Sequence, residues 1–134
     1  MTVANIYILM ILTLLPLCGF ADEKPGEIQG VSGKLLVNHP LQEQIGALAD
    51  YNMRARHATV APGGQMIEHN HEHHPGFVYV LSGSVTEHRG DQVREISAGE
   101  YFLEDGKTIH WIENTSDEPA SIVAIDIIPS PQKQ

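Results

Sequence analysis

The 134-residue chain reads as an all-β protein, an antiparallel sandwich or barrel, on three observations. Short segments rich in Val, Ile, Tyr and Phe recur at close, regular spacing. Each is bounded by Gly, Pro, Asn, Asp or Ser. Only one stretch, "PLQEQIGALADY" at 40–51, suits a short helix or an irregular connection instead.

Taken in order, the chain begins with a segment outside that fold. Residues 6–17, "IYILMILTLLPL", are apolar but too short to span a bilayer comfortably, and "CGFA" and the charged "DEK" follow. Residues 1–21 therefore read as a secretory signal peptide, with Gly19 and Ala21 as the small residues at −3 and −1 of the cut, although a basic n-region is missing. A lipid anchor on Cys18 in "LPLC" is the weaker alternative, because Leu17 beside it is large. Cleavage after Ala21 implies an exported protein, periplasmic or extracellular, with no stable membrane insertion. It also removes the only cysteine, so no disulfide framework supports the domain.

Residues 22–33, "DEKPGEIQGVSG", carry one Pro, three Gly and little apolar content and read as a flexible leader or an edge-lying arm. The domain runs over 34–129. Its candidate strands are "KLLV", "MRARHATV", "QMIEHNH", "FVYVL", "SVTEHR", "VREI", "EYFLE", "TIHWIE" and "ASIVAIDII". Five consecutive apolar residues in "FVYVL" fit a strand buried on both faces. The tail at 130–134, "SPQKQ", reads as disordered.

With 8 basic against 17 acidic side chains the formal charge is −9, and the few Lys and Arg are scattered. No cluster exists to displace counterions from a phosphate backbone, which argues against nucleic acid and anionic membranes as partners. That weakens those partners without identifying the true one.

The informative feature is the stretch 69–74, "HNHEHH", which holds four of the eight histidines. Side chains alternate along a strand, so His69 and His71 point to one face and their imidazoles can converge on one ion. His110, in "TIHWIE", is the candidate third ligand, since a histidine among Ile109, Trp111 and Ile112 needs a partner for its ring nitrogens. His73 shares the parity of His69 and His71, and His74 lies beside Pro75. Both are candidates for a fourth position, although a histidine-rich turn is more often solvated surface. His39, His57 and His88 have no convergent spacing and read as structural or exposed. Imidazole donors suit a divalent transition metal without choosing among Fe, Mn, Ni, Cu and Zn. The "NTS" sequon at Asn114 has meaning only in a eukaryotic secretory pathway.

Over residues 34–129 the chain resembles the cupin family of small antiparallel barrels, the double-stranded β-helix or jelly roll. The first family motif, G-x5-H-x-H-x(3,4)-E-x6-G, fits Gly63, His69, His71 and Gly83. The second, G-x5-P-x-G-x2-H-x3-N, fits Gly99, His110 and Asn114, with "SAGE" leading in. Two departures stand out. Gly76 occupies the position of the family's metal-binding Glu, and Asp105 and Lys107 replace the Pro and Gly of the second motif. The resemblance thus implies a three-histidine metal site without its carboxylate, and a homodimer.

Three function classes follow. A metal on three protein ligands keeps positions open for substrate and oxygen. Cupins lacking the Glu include dioxygenases, so a dioxygenase-like enzyme on a small organic molecule comes first. A sugar or organic-acid isomerase or lyase comes second, with Glu104, Glu87, His88 and Glu113 as candidate bases; alternation puts Glu87 and His88 on opposite faces. A buried Glu with a perturbed pKa at the site would favour this class. A non-catalytic module binding a small ligand or a metal is third.

Overall fold

Alternating apolar residues and frequent turn signals produce eight antiparallel strands in the computed structural model, which describes residues 23–131. They are β1 (Gln29–Pro40), β2 (Tyr51–Asn70), β3 (Gly76–Ser82), β4 (Ser84–Arg89), β5 (Gln92–Ser97), β6 (Tyr101–Glu104), β7 (Ile109–Glu113) and β8 (Ala120–Pro129). Their lateral order is β5-β4-β7-β2-β8-β3-β6, with β1 added along β2, and they form a nearly closed barrel. The segment 40–51 holds only a single 3₁₀ turn at Gly46–Leu48. The signal-peptide reading of 1–21, Cys18 included, lies outside the described residues. Among the described residues no helix is long and apolar enough to cross a membrane.

The strand β2 organises the barrel because it belongs to both of its sides. Its first half pairs with β8, from Tyr51↔Pro129 to Val60↔Ala120, and its second half pairs with β7. Between the halves the chain bends through "APGG", where Gly63 has a φ of 72°, a conformation that a side chain disfavours. The bend is pinned to the motif asparagine: Gly63 N donates to Asn114 O at 2.8 Å and Asn114 N donates to Gly64 O at 2.9 Å. The Asn114 side chain is buried and its Nδ2 donates to the carbonyls of Val60 and Glu118. The sequon nitrogen is therefore spent on the fold.

Three expectations need correction. β1 begins at Gln29 and pairs with β2, so residues 29–33 are strand and not flexible leader. "FVYVL" is buried on one face only. Val78 and Val80 point inward, whereas Tyr79 and Leu81 are exposed, because β3 lies in a sheet with one face in the core. In the tail, Ser130 is tied down, its amide donating to Asp50 O and its hydroxyl to Asn52 Oδ1; residues 132–134 lie outside the description.

The core is a cluster of Val60, Val78, Val80, Val85, Ile96, Phe102, Ile112, Ala120 and Ile122, drawn from every strand but β1. It fills one end of the barrel. That leaves the other end to polar side chains.

Candidate metal centre

Following each inward row past the core shows how the site arises. Residues two apart on a strand share a face, so Val85 leads to Glu87, Phe102 to Glu104, Ile112 to His110 and, four along from Ile122, the row on β8 reaches Asp126. All four of these polar residues are buried. On β3 the equivalent step, from Val78, reaches Gly76.

On β2 the inward row is shifted by a bulge. Met66 pairs with Ile112 and His69 pairs with His110, so three steps on β2 match two on β7. The extra residue turns both Ile67 and Glu68 to solvent and brings His69 onto the inner face with Met66. His69 and His110 then oppose each other directly across the ladder. His71 follows just beyond the strand, its amide donating to Thr108 O at 3.1 Å. The three rings surround one point, with centroids 4.8 Å apart for His69–His71, 4.8 Å for His69–His110 and 5.0 Å for His71–His110.

The outer nitrogen of each ring is committed. His69 Nδ1 donates to Ile67 O at 2.9 Å, His71 Nδ1 to His74 O at 3.2 Å and His110 Nδ1 to Glu87 Oε1 at 2.8 Å. A carbonyl or ionised carboxylate can only accept, so each Nδ1 carries the proton and each Nε2 presents a lone pair inward. Second partners of this kind fix the tautomer of metal-binding histidines. The consequence is strained without a cation: His71 Nε2 and His110 Nε2 face each other at 3.1 Å, two acceptors with no proton between them. An ion about 2.1 Å from each nitrogen sets neighbouring ligands about 3.0 to 3.4 Å apart, which this separation matches.

The fourth member is Glu104. His69, His71, Glu104 and His110 each offer a ligand atom, all within 4.8 Å of one another. Glu104 Oε1 lies 3.6 Å from His110 Nε2, and Oε2, buried with no hydrogen-bond partner among the described residues, lies 3.6 Å from His71 Nδ1. A carboxylate oxygen facing inward imidazole lone pairs, acceptor against acceptor, is what a cation would satisfy. The residues present fit a divalent transition metal.

Electrostatics agree with that fit. Burial pushes the Glu104 carboxyl up to about 7, with Asp126 adding to the effect and His110 and Arg56 opposing it. Burial likewise pushes His71 down to about 4 and lowers His69, so the rings keep their lone pairs at neutral pH. Glu87 is the exception. Although burial raises it, hydrogen bonds from His110, Arg89 and Arg94 outweigh that and hold its carboxyl at about 2.

The remaining sequence candidates are dispersed. His74 is half-buried at the cavity wall with its ring 5.5 Å from that of His71, and it serves His71 through its carbonyl. His73 is exposed. Glu87 points inward as alternation requires, while His88 points the other way, stacks on Trp111 at 3.6 Å and bonds Glu113 at 2.9 Å. That removes His88, Glu113 and Trp111 from the site. His57 bonds Ser121 Oγ and His39 is exposed. Sequence reasoning named Glu104 only as a base and took the carboxylate ligand to be lost with Gly76.

A cavity of about 730 Å³ leads to the four residues, walled by apolar side chains including Val31, Met66, Val78 and Ala124. Its size suits a small organic molecule.

Comparison with known proteins places this barrel. The family described as "Cupin domain" matches residues 56–126. No curated protein matches the chain. Among solved structures, a predicted oxalate decarboxylase from Thermotoga maritima is 23% identical with a TM-score of 0.60, covering 73% of this chain and 80% of that one. KdgF from a Halomonas species is 19% identical with a TM-score of 0.59, covering 77% and 82%. The cupin domain of an XRE family transcriptional regulator from Enterobacter cloacae is 21% identical with a TM-score of 0.56, covering 78% and 100%. At these identities the likeness is one of fold, and the three names show how many tasks that fold carries. With both histidine motifs on adjoining strands of one jelly roll, and the family match spanning more than half of its length, the chain belongs to the cupin family.

Proposed function

We propose that this cupin is an exported, metal-dependent enzyme that moves a proton on a small organic molecule, in the isomerase or lyase class. The observation that carries the reading is the buried Glu104 carboxyl, its Oε2 without a hydrogen bond among the described residues, beside three inward-facing imidazoles. The dioxygenase expectation rested on a three-histidine set without a carboxylate. Glu104 removes that ground: it adds a buried carboxylate to the set, and its second oxygen is left beside the cavity to take up or release a proton.

His69, His71 and His110 would hold the metal through Nε2, with Glu104 Oε1 completing the set. The metal, when bound, supplies a Lewis acid that polarises a substrate oxygen. Each histidine is kept in register by its Nδ1 bond, and Glu87 keeps His110 oriented while Arg89 and Arg94 balance its charge. Glu104 accepts or returns the substrate proton at Oε2. The apolar cavity walls exclude water from that exchange. A cavity of this size also argues against a purely metal-storing role, which needs no room for a second molecule.

The test is deuterium exchange in D₂O by the metal-loaded protein on a panel of hydroxy acids, keto acids and sugar acids, with an oxygen electrode alongside. Solvent deuterium entering a C–H position without oxygen uptake, and lost in Glu104→Gln at a metal concentration that still loads the variant, supports the proposal. Oxygen consumed in step with product formation would replace it with an oxygenase. Export is checked by sequencing the mature N-terminus, which begins at Asp22 if the signal peptide is cut as proposed and at a modified Cys18 if it is lipidated.

A further inference from the structure

We infer that the molecule taken by this cavity is a small organic carboxylate, bound at one end by Arg56 while its other end reaches the metal cluster. This rests on the preceding reading of the cavity as a substrate pocket.

Arg54 and Arg56 lie two apart on β2, on the inward face, and both line the cavity. Both turn to Asp126, but they share it unequally. Arg54 takes both of its oxygens, Nε to Oδ1 at 3.0 Å and Nη2 to Oδ2 at 2.5 Å. Arg56 has one longer bond, Nη2 to Oδ2 at 3.2 Å, and its Nε is buried with no partner. The Nε and Nη2 edge of a guanidinium matches the two oxygens of a carboxylate, as Arg54 and Asp126 demonstrate within the same cavity. On Arg56 that edge is only partly used.

Charge points the same way. Two guanidinium groups face one aspartate, and Glu104, the only other carboxyl at the cavity wall among the described residues, belongs to the candidate metal cluster. Lys34 adds a further cation at the wall. The chain as a whole is at −9, so this is a local positive site in an acidic protein. Arg56 is also near enough to the cluster to act on it, since its charge lowers both His69 and Glu104. An anion spanning from Arg56 to the metal would satisfy both. The apolar walls between them favour a carbon chain over a bare inorganic ion.

The experiment is calorimetric titration of zinc-loaded protein with malonate, succinate and malate, each against its monoamide and against inorganic phosphate. The acid binds at least about 10-fold more tightly than its monoamide in the unaltered protein, as expected when a paired charge is lost. In Arg56→Gln, with zinc content and thermal midpoint unchanged, that preference disappears; Arg56→Lys, which keeps the charge and loses the fork, falls between. An acid preference undiminished in Arg56→Gln overturns the inference and leaves the metal reading intact. Phosphate binding more tightly than every carboxylate overturns the ligand class. If the protein takes up no zinc, the metal reading fails, and the same titration of metal-free protein still decides the role of Arg56 by the acid-to-amide ratio.

Discussion

Glu104 lies directly across the β3–β6 ladder from Gly76, the position where the family motif has its glutamate. Residues opposed in an antiparallel pair share a face about 5 Å apart. The carboxylate absent from one strand thus has a counterpart on the neighbouring one, which would complete a four-ligand set. Glu104→Gln keeps the shape and removes the charge. Its metal affinity is expected to fall at least about 100-fold, since even groups that only orient ligands are worth 10- to 100-fold. Competition against a chelator of known affinity measures this, and an unchanged affinity would remove Glu104 from the ligand set.

The close approach of β3 to β8 explains why position 76 needs a glycine. A Cβ there would press on the Ile125 carbonyl and lie 2.8 Å from Asp126 Cβ and 2.9 Å from its Cα. Backbone cannot yield as a side-chain tip can. Gly76→Ala is expected to cost about 3 kcal/mol or more of stability, the upper range for overpacking. Denaturant melts of metal-free protein test it; a loss below 1 kcal/mol, on the order expected of a surface change, would show that β3 and β8 separate easily.

The legible part of this molecule was its local chemistry. Turn residues and alternation place nearly every strand, and the two-residue spacing of His69 and His71, with His110 in a second motif, brings the right three rings together. What sequence did not disclose depends on pairing between distant strands. The bulge at Ile67 and Glu68 that turns His69 inward is set by the register of β2 on β7. The meeting of Glu104 with Gly76 is set by β3 on β6. "FVYVL" misled for a related reason: Tyr79 pairs with Tyr101 on the outer face, so its apolar character reflects an exposed row rather than burial. Strand β1 was read as starting late because Gly30 and Gly33 resemble a linker until β2 is seen beside them.

Glu87 tests whether the histidines are held as well as placed. Its Oε1 accepts from His110 Nδ1 at 2.8 Å, while Arg89 and Arg94 bind the remaining lone pairs at 2.6 and 2.9 Å. Glu87→Gln weakens the hydrogen bond that orients His110 and leaves two guanidinium groups beside a neutral amide. Metal affinity is expected to fall about 10-fold, with the ligand count unchanged. Nitrogen-15 shifts of the His110 ring provide the second readout. Loss of the single Nδ1–H tautomer in the metal-free variant identifies a positioning role, whereas an unaltered tautomer would mean that packing alone orients the ring.

Metal-free protein should respond to acid in a way that these opposed shifts dictate. Stability changes with pH wherever folded and unfolded chains bind different numbers of protons, by about 1.4 kcal/mol per pH unit for each proton of difference. His71, lowered from 6.5 to about 4, takes its proton first in the unfolded chain, so it costs stability as pH falls from 6.5 to 4. Glu104, raised from 4.5 to about 7, takes its proton first in the folded chain, so it adds stability as pH falls from 7 to 4.5. Between 6.5 and 4.5 the two oppose each other, and His69, also lowered by burial, adds to the loss. Below 4.5 the Glu104 contribution is complete and offsets nothing further, while Glu87, lowered from 4.5 to about 2, starts to lose its share, a total of about 3 kcal/mol by pH 2. Urea denaturation in chelator across pH 7 to 3 should therefore show a shallow profile to 4.5 and a steep decline beneath it. Glu104→Gln removes the compensating group, and its stability should already decline below 6.5. A variant profile that stays flat to 4.5 would show that His71 is protonated as readily in the folded barrel as in water.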